Sequence, residues 1–345
     1  MPNLRELRLS GNPLVSLLQS PPSSSHPRPH PHPSLRSVDL SFTRLSTFYS
    51  EAFVNFPQIK RLNLSFSSLD SISGEGFAYM GSLEEVDLRA APLGFYPRGL
   101  LTNLSHLVKV FSDDYRLCCE ENLPAGFDAA TRCHAPADVI SSCEDLLRSD
   151  VHRALLWALC LLAMAGNATC LAVRLFVRKT ALSDGFNVLL TNLNLADLLM
   201  GVYLALIGAG DLLNRGRYLS MEERWLSGAA CNAAGVLFLL SRETSVFLVG
   251  LITLDRLLRV RFPGNAYLLH ARSSWLSCGA AWGVSFLLAE FPALLMPRWQ
   301  LVSHNGLCAP LPFFAGKASE GRGYVLAVVV VLNFLLSLLL SLIHI

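Results

Sequence analysis

Two different periods of apolar and polar positions run along the chain. Before residue 150 the apolar residues recur in short clusters: Leu4-Arg-Glu-Leu7-Arg-Leu9, Leu35-Arg-Ser-Val38-Asp-Leu40, Ile59-Lys-Arg-Leu62-Asn-Leu64 and Leu83-Glu-Glu-Val86-Asp-Leu88. The last three follow one another at 24 residues, and each has a further apolar residue five positions on, at Leu45, Leu69 and Leu93. Alternation inside a cluster predicts one short strand per copy. A fixed repeat length predicts that the copies stack, with the leucines between neighbours and the intervening positions facing out along a concave sheet. Those outward positions are Glu6 and Arg8, Ser37 and Asp39, Arg61 and Asn63, and Glu85 and Asp87. After residue 150 the pattern changes to five long apolar stretches, roughly 154–177, 186–213, 226–260, 275–295 and 324–345. A bilayer core about 30 Å thick takes about 20 helical residues to cross. Five successive stretches of that length, joined by short polar connectors, predict a membrane helix bundle rather than buried core helices.

The strand clusters match the leucine-rich-repeat pattern L-x-x-L-x-L-x-x-N-x-L. Asn12 occupies the asparagine position in the first copy, whereas Thr43, Ser67 and Ala91 stand there in the others. The first two copies are 31 residues apart. The excess falls in a Pro-, Ser- and His-rich run at 19–34, which reads as a low-complexity insert. His26, His30 and His32 within it are weak metal candidates, and no metal or other cofactor is expected. The predicted organisation is a repeat at 1–18, the insert at 19–34, further repeats at 35–110, a cysteine-rich cap and hinge at 111–150, and a five-span membrane domain at 151–345.

Composition divides in the same way. The chain is 52% hydrophobic and 16% charged, with a formal net charge of +2. Residues 1–150 carry a net charge of −4 and residues 151–345 a net charge of +6. A net charge of +2 makes a nucleic-acid partner unexpected, and membrane lipid is expected around the second half. Basic residues are too evenly spread over the loops for the positive-inside rule to orient the spans. Cysteines orient them instead. Cys231 opens the third span and Cys308 lies between the fourth and fifth, so a disulfide between them needs the oxidising side of the membrane. The N-terminal half is then extracellular, with sequons at Asn63 and Asn103. Cys118, Cys119, Cys133 and Cys143 read as two further disulfides with three possible connectivities, and a zinc site is the alternative.

Polar residues inside apolar spans are functional candidates. They include Asn167, Asn192, Asn194, Asp197, Arg242, Glu243 and Asn333, with Ser245 nearby and Asp255 and Arg256 at the end of the third span. Gly166-Asn167, Leu193-Asn-Leu-Ala196-Asp197, Asp255-Arg256-Leu257, the 25-residue spacing from Cys231 to Arg256, and Trp282 followed by Pro292 resemble the rhodopsin-like G-protein-coupled receptors. Ser142-Cys143-Glu144-Asp145-Leu146-Leu147 is similar to the hinge signature of their leucine-rich-repeat branch, which binds glycoprotein hormones, relaxin-type peptides, bursicon or R-spondins. The glycoprotein-hormone or bursicon type is favoured over the relaxin type. Ser141 and Ser142 replace the Asn-Pro that often precedes this signature.

The resemblance implies a plasma-membrane receptor for an extracellular protein or peptide hormone. It also implies a heterotrimeric G protein as the inner partner and adenylate cyclase as the output. Arg61, Asn63, Glu85 and Asp87 are then candidate ligand contacts. Asp255 is expected to hold Arg256 by an ion pair at rest. Asn167, Asp197 and Ser245, with Glu243, look like the buried polar cluster that holds sodium in related receptors. The family has seven spans, so five read as a partial chain. The alternative is a non-signalling leucine-rich-repeat adhesion or decoy protein. A membrane enzyme has no supporting motif.

Overall fold

The computed structural model describes residues 4–17, 34–73, 76–91, 93, 96–177, 184–261, 271–295 and 306–309. The insert with its three histidines lies outside them, as do Asn333 and the fifth apolar stretch. The chain forms two compact units, 1–138 and 139–345.

In the first unit, β1 (Glu6–Arg8), β2 (Ser37–Asp39), β4 (Arg61–Asn63), β6 (Glu85–Leu88), β7 (Lys109–Ser112) and β8 (Cys133–His134) make one parallel sheet in that order. The register follows the 24-residue period: Val38 lies beside Leu62, Leu62 beside Val86, and Val86 beside Val110. Leu35, Leu40, Leu45, Ile59, Leu64, Leu69, Leu83 and Leu88 are all buried in a single apolar core. At about 1.5–3 kcal/mol for each fully buried side chain, these residues hold the neighbouring copies together. A second, two-stranded parallel ladder, β3 (Thr47–Tyr49) with β5 (Ser71–Ser73), sets buried Phe48 beside buried Ile72.

The variable asparagine position has a common job. Asn12 donates its side-chain amide to the Leu9 carbonyl at 2.9 Å. The hydroxyl of Thr43 donates to the Leu40 carbonyl at 2.8 Å, and that of Ser67 to the Leu64 carbonyl at 2.6 Å. Each satisfies a carbonyl three residues back that the turn leaves without a ladder partner. Ala91 has no such donor, and its own backbone amide bonds Leu88 at a longer 3.3 Å. The unit ends with a cap: Asp128 starts α1 (Ala129–Arg132) by accepting from Ala130 N, and Cys118 is bonded to Cys133. The Thr131 hydroxyl hydrogen bond holds the Asp128 carboxyl below its usual range.

The second unit contains α2 (Asp150–Ala172), continued by a π-turn at Val173–Val177, then α3 (Gly185–Asn214), α4 (Tyr218–Ser227), α5 (Ala229–Arg261) and α6 (Ala271–Leu295). Among the described residues three segments, Asp150–Val177, Gly185–Asn214 and Ala229–Arg261, are long and apolar enough to cross a membrane. Ser149 caps α2 by accepting from His152 N, and Asp150 in the first turn suits the positive helix end. α3 is the central element and packs against α2, α5 and α6. Its contact with α2 requires glycine at position 201, because a Cβ there would sit 2.6 Å from the Met164 side chain. The buried Cys160 thiol donates to the Gly201 carbonyl across the same contact at 3.5 Å.

Candidate functional site

The outward face of the repeat sheet presents two rows. One runs Glu6, Ser37, Arg61, Glu85, Lys109, and the other Arg8, Asp39, Asn63, Asp87, Phe111, His134. The four expected ligand contacts are neighbours across β4 and β6, but their charges are not equivalent. Asp87 is neutralised by Arg89 at 2.6 Å, and this hydrogen bond raises the Arg89 guanidinium above its ordinary value. Among the described residues Arg61 and Glu85 have no ion-pair partner. Asn63 accepts from Ser65 N at 3.0 Å and Ser65 Oγ at 2.7 Å. Its side-chain nitrogen is left for its sequon. Asn103 lies exposed in a turn.

Sequence reasoning passed over the aromatic part of this face. Arg89 lies over the Phe111 ring at 5.0 Å, and Phe111 stacks on His134, also at 5.0 Å. Beside the rows, Phe42 and Phe66 stack almost parallel with centroids 4.7 Å apart, although both are more than half exposed. Both adopt positive φ, at 55° and 53°, a region that bulky side chains rarely occupy. Their 24-residue separation was visible in the sequence; their backbone conformation was not.

At one end of the helices, residues 143–147 form a strap. Leu146 and Leu147 are buried among Leu156, Tyr203, Ile207 and Tyr218. The Glu144 carbonyl accepts from Tyr218 N at 2.9 Å and the Cys143 carbonyl from Leu219 N at 3.1 Å. Gly216 N donates to the Asp145 carboxylate at 3.0 Å. Asp211, fully buried, accepts from Leu147 N at 2.9 Å and from Arg153 Nε at 2.7 Å. Arg153 also reaches Asp145, Asp150 and the Leu147 carbonyl. In the sequence Asp211 lies inside the second apolar stretch, yet neither it nor Arg153 was among the polar residues singled out. The same end is closed by residues 306–309. Cys231 is bonded to Cys308, Tyr203 donates to the Leu307 carbonyl at 3.0 Å, and Trp225 donates to the Gly306 carbonyl at 2.9 Å. Cys119 and Cys143 are disulfide-bonded as well.

Deeper among the helices, Ser245 donates to Asp197 at 2.9 Å, and Trp282 donates to Asn192 at 3.1 Å. Asn167 turns its amide back to the Ala163 carbonyl of its own helix. Glu243 is buried, and one of its carboxylate oxygens has no partner. Among the described residues no hydrogen bond joins Asn167 or Glu243 to the Asp197–Ser245 pair.

At the opposite end of α5 the expected Asp255–Arg256 ion pair is not formed. Both oxygens of the buried Asp255 carboxylate lie 3.0 Å from Arg259 Nε. The reason is helical geometry: neighbours in sequence point about 100° apart, whereas residues four apart share a face. Arg256 instead lies over the Phe186 ring, 4.0 Å from its centroid.

A chain whose outward-facing repeats precede a disulfide-closed bundle of apolar helices can be compared directly with known proteins. The profile of the seven-transmembrane receptors of the rhodopsin family matches residues 166–345. The chain belongs to that family. The leucine-rich-repeat profile matches residues 33–93, so this is a leucine-rich-repeat-containing receptor of the rhodopsin family. Among curated relatives, G-protein coupled receptor GRL101 of Lymnaea stagnalis is 34% identical over 239 residues, which are 69% of this chain and 21% of that protein. Human relaxin receptor 2 is 29% identical over 60% of this chain and 28% of its own length. The lutropin-choriogonadotropic hormone receptor of Callithrix jacchus is 33% identical over 52% of this chain and 26% of its own length. The chain thus spans less than a third of each of these relatives.

Proposed function

We propose that this receptor takes an extracellular protein hormone on the outward face of its repeats, and that the strap at 143–147 passes the event to the helices. On this reading a heterotrimeric G protein is engaged at the Arg256 end, and adenylate cyclase is the output. The repeats act as a solenoid, and the full bundle has seven helices with the first unit outside the plasma membrane. The observation that supports this reading best is the strap. Its backbone is tied to α3 by Asp211 and to α4 by Tyr218 and Leu219, and its Asp145 carboxylate accepts from Gly216 N between them, so displacement of Cys143 is felt by the two helices at once. Ligand would then bias a two-state element rather than push a passive linker.

The test is charge reversal on the face of the full-length protein at the cell surface. Glu85→Lys, which alters an unpaired charge, is expected to weaken hormone binding more than Asp87→Lys, which alters one already neutralised by Arg89. Relaxin-type and glycoprotein-hormone-type ligands, applied with a cyclic-AMP readout, identify the branch. Specific binding that never activates any G protein would instead support the adhesion or decoy reading.

A further inference from the structure

Two features of the repeat unit are not needed by its fold, and they lie beside each other. The first is the stack of Phe42 on Phe66. Four copies place a residue of positive φ at the same point: Gly11 at 74°, Phe42 at 55°, Phe66 at 53° and Ala90 at 51°. Glycine adopts that conformation freely and phenylalanine does so at a cost, so the turn itself does not require an aromatic. The two rings are 59% and 54% exposed although they stack on each other. Strain kept at an exposed apolar pair points to something that covers it. The second feature is the amide of Asn63. Its Oδ1 accepts from Ser65 N at 3.0 Å and Ser65 Oγ at 2.7 Å. Asp39 makes the same two bonds to Ser41, at 3.0 and 2.7 Å, so a carboxylate serves this turn equally well. What asparagine adds is Nδ2, which makes no hydrogen bond among the described residues. The bonds to Ser65 fold the Asn63 side chain toward the turn that carries Phe66, one Cα step of about 3.8 Å beyond Ser65.

We propose that Asn63 carries an N-linked glycan whose first sugars lie on the Phe42–Phe66 stack. This rests on the reading above that the first unit is extracellular, since the sequon Asn63-Leu64-Ser65 must meet the glycosylation machinery. The donor is a lipid diphosphate-linked oligosaccharide. Nδ2 bonds its anomeric carbon, the bond from that carbon to the diphosphate oxygen breaks, and Nδ2 gives up one proton. An N-acetylglucosamine ring has an apolar C–H face and a rim of hydroxyl and amide groups. The C–H face covers aromatic surface while the rim stays in water, which removes the exposed apolar pair without a second protein. Room for it exists: Ala90 is small, and a Cβ built on Gly11 would meet nothing within 4 Å. The glycan takes the row Asp39, Asn63, Asp87 out of the hormone's reach and leaves the row Ser37, Arg61, Glu85, Lys109 open. Asn63 is then a modification site rather than a hormone contact.

The experiment uses the full-length protein from animal cells, with an epitope on the first unit read on intact cells. Glycopeptide mass spectrometry gives the occupancy of Asn63, and amide hydrogen exchange at residues 64–69 is followed before and after enzymatic release of the glycans. Asn63 should be occupied. Release should speed exchange by about two- to ten-fold, the ratio that one aromatic contact of ordinary strength gives. Phe42→Gly with Phe66→Gly suits the positive φ, as Gly11 does, and removes the stack; release should leave its exchange unchanged. Asn63→Asp keeps the acceptor that Asp39 supplies and should exchange like the released protein, with or without the enzyme. The proposal is overturned if Asn63 is bare in a protein whose epitope is labelled, or if release leaves the original unchanged. It is also overturned if release speeds the original and the double glycine variant equally, which would place the sugars off the stack. A bare Asn63 in a protein that reaches the cell surface with its epitope hidden would remove the extracellular reading and the proposal together.

Discussion

Arg153 donates to the Asp211 carboxylate at 2.7 Å, and Asp211 has no exposed surface. A buried carboxylate in such a setting is tolerable only while it is paired and hydrogen-bonded. Here the guanidinium and the Leu147 amide together meet that need, so the ion pair and the strap depend on each other. Arg153→Ala leaves a buried charge unpaired and should cost about 3–5 kcal/mol, read as a fall in the thermal midpoint of the purified protein. Asp211→Asn keeps an acceptor for Leu147 N and should cost less. Equal losses for the two would show that the charge is not what matters.

The hydroxyls at positions 43 and 67 make a separable prediction. Ser67→Ala leaves the buried Leu64 carbonyl without its donor and should lower stability by about 1 kcal/mol. Ser67→Asn places at this position the side chain that does the same job at Asn12, and should retain stability. Limited proteolysis of the repeat unit is the readout, and faster cleavage of the Asn variant than of the Ala variant would contradict it.

Closing a 15-residue separation between Cys118 and Cys133 restricts the unfolded chain by about 3 kcal/mol. Replacing both by serine should therefore make the cap around β8 the first part of the repeat unit to exchange amide hydrogens, with little change at β2 and β4. Protection lost evenly across the sheet would mean that the cap and the repeats unfold as one.

Gly201→Val should prevent surface expression, since even a Cβ would meet Met164 at 2.6 Å and two further methyls have no room. Gly279, with nothing within 4 Å of a Cβ, should accept alanine without loss. Similar behaviour of the two variants would argue against close α2–α3 packing.

Much of this structure could be read from spacing alone. Because the apolar period in the first half is constant, the register of Val38, Leu62 and Val86 and the outward placement of Arg61 and Glu85 follow from the sequence. β7 was also legible in retrospect: Leu107 and Val110 continue the same period, with Ser112 in place of the last leucine. The small ladder of β3 and β5 was not: it keeps the 24-residue spacing, but each strand carries one apolar residue, Phe48 or Ile72, between polar neighbours. The pairing of Asp255 with Arg256 was implied by the family resemblance, whereas in this structure the carboxylate lies 3.0 Å from Arg259 Nε. A helix brings residue 259 to the face of residue 255. Asp211 was out of reach for a different reason. Its role arises from a contact 58 residues away in sequence, and no local pattern records such a partner.

α5 has 33 residues, or about 50 Å of helix at 1.5 Å per residue, against a hydrocarbon layer of about 30 Å. A helix of that length exceeds such a layer by about 20 Å. Its last two turns carry Arg256, Arg259 and Arg261, and a basic residue near an anionic membrane surface is worth about 1 kcal/mol. Lipid charge beside that end would then act on the helix directly. In nanodiscs, raising the fraction of anionic lipid should slow amide exchange in the last turns of α5, and should do so less after Arg259→Gln; no difference between the two proteins would contradict it.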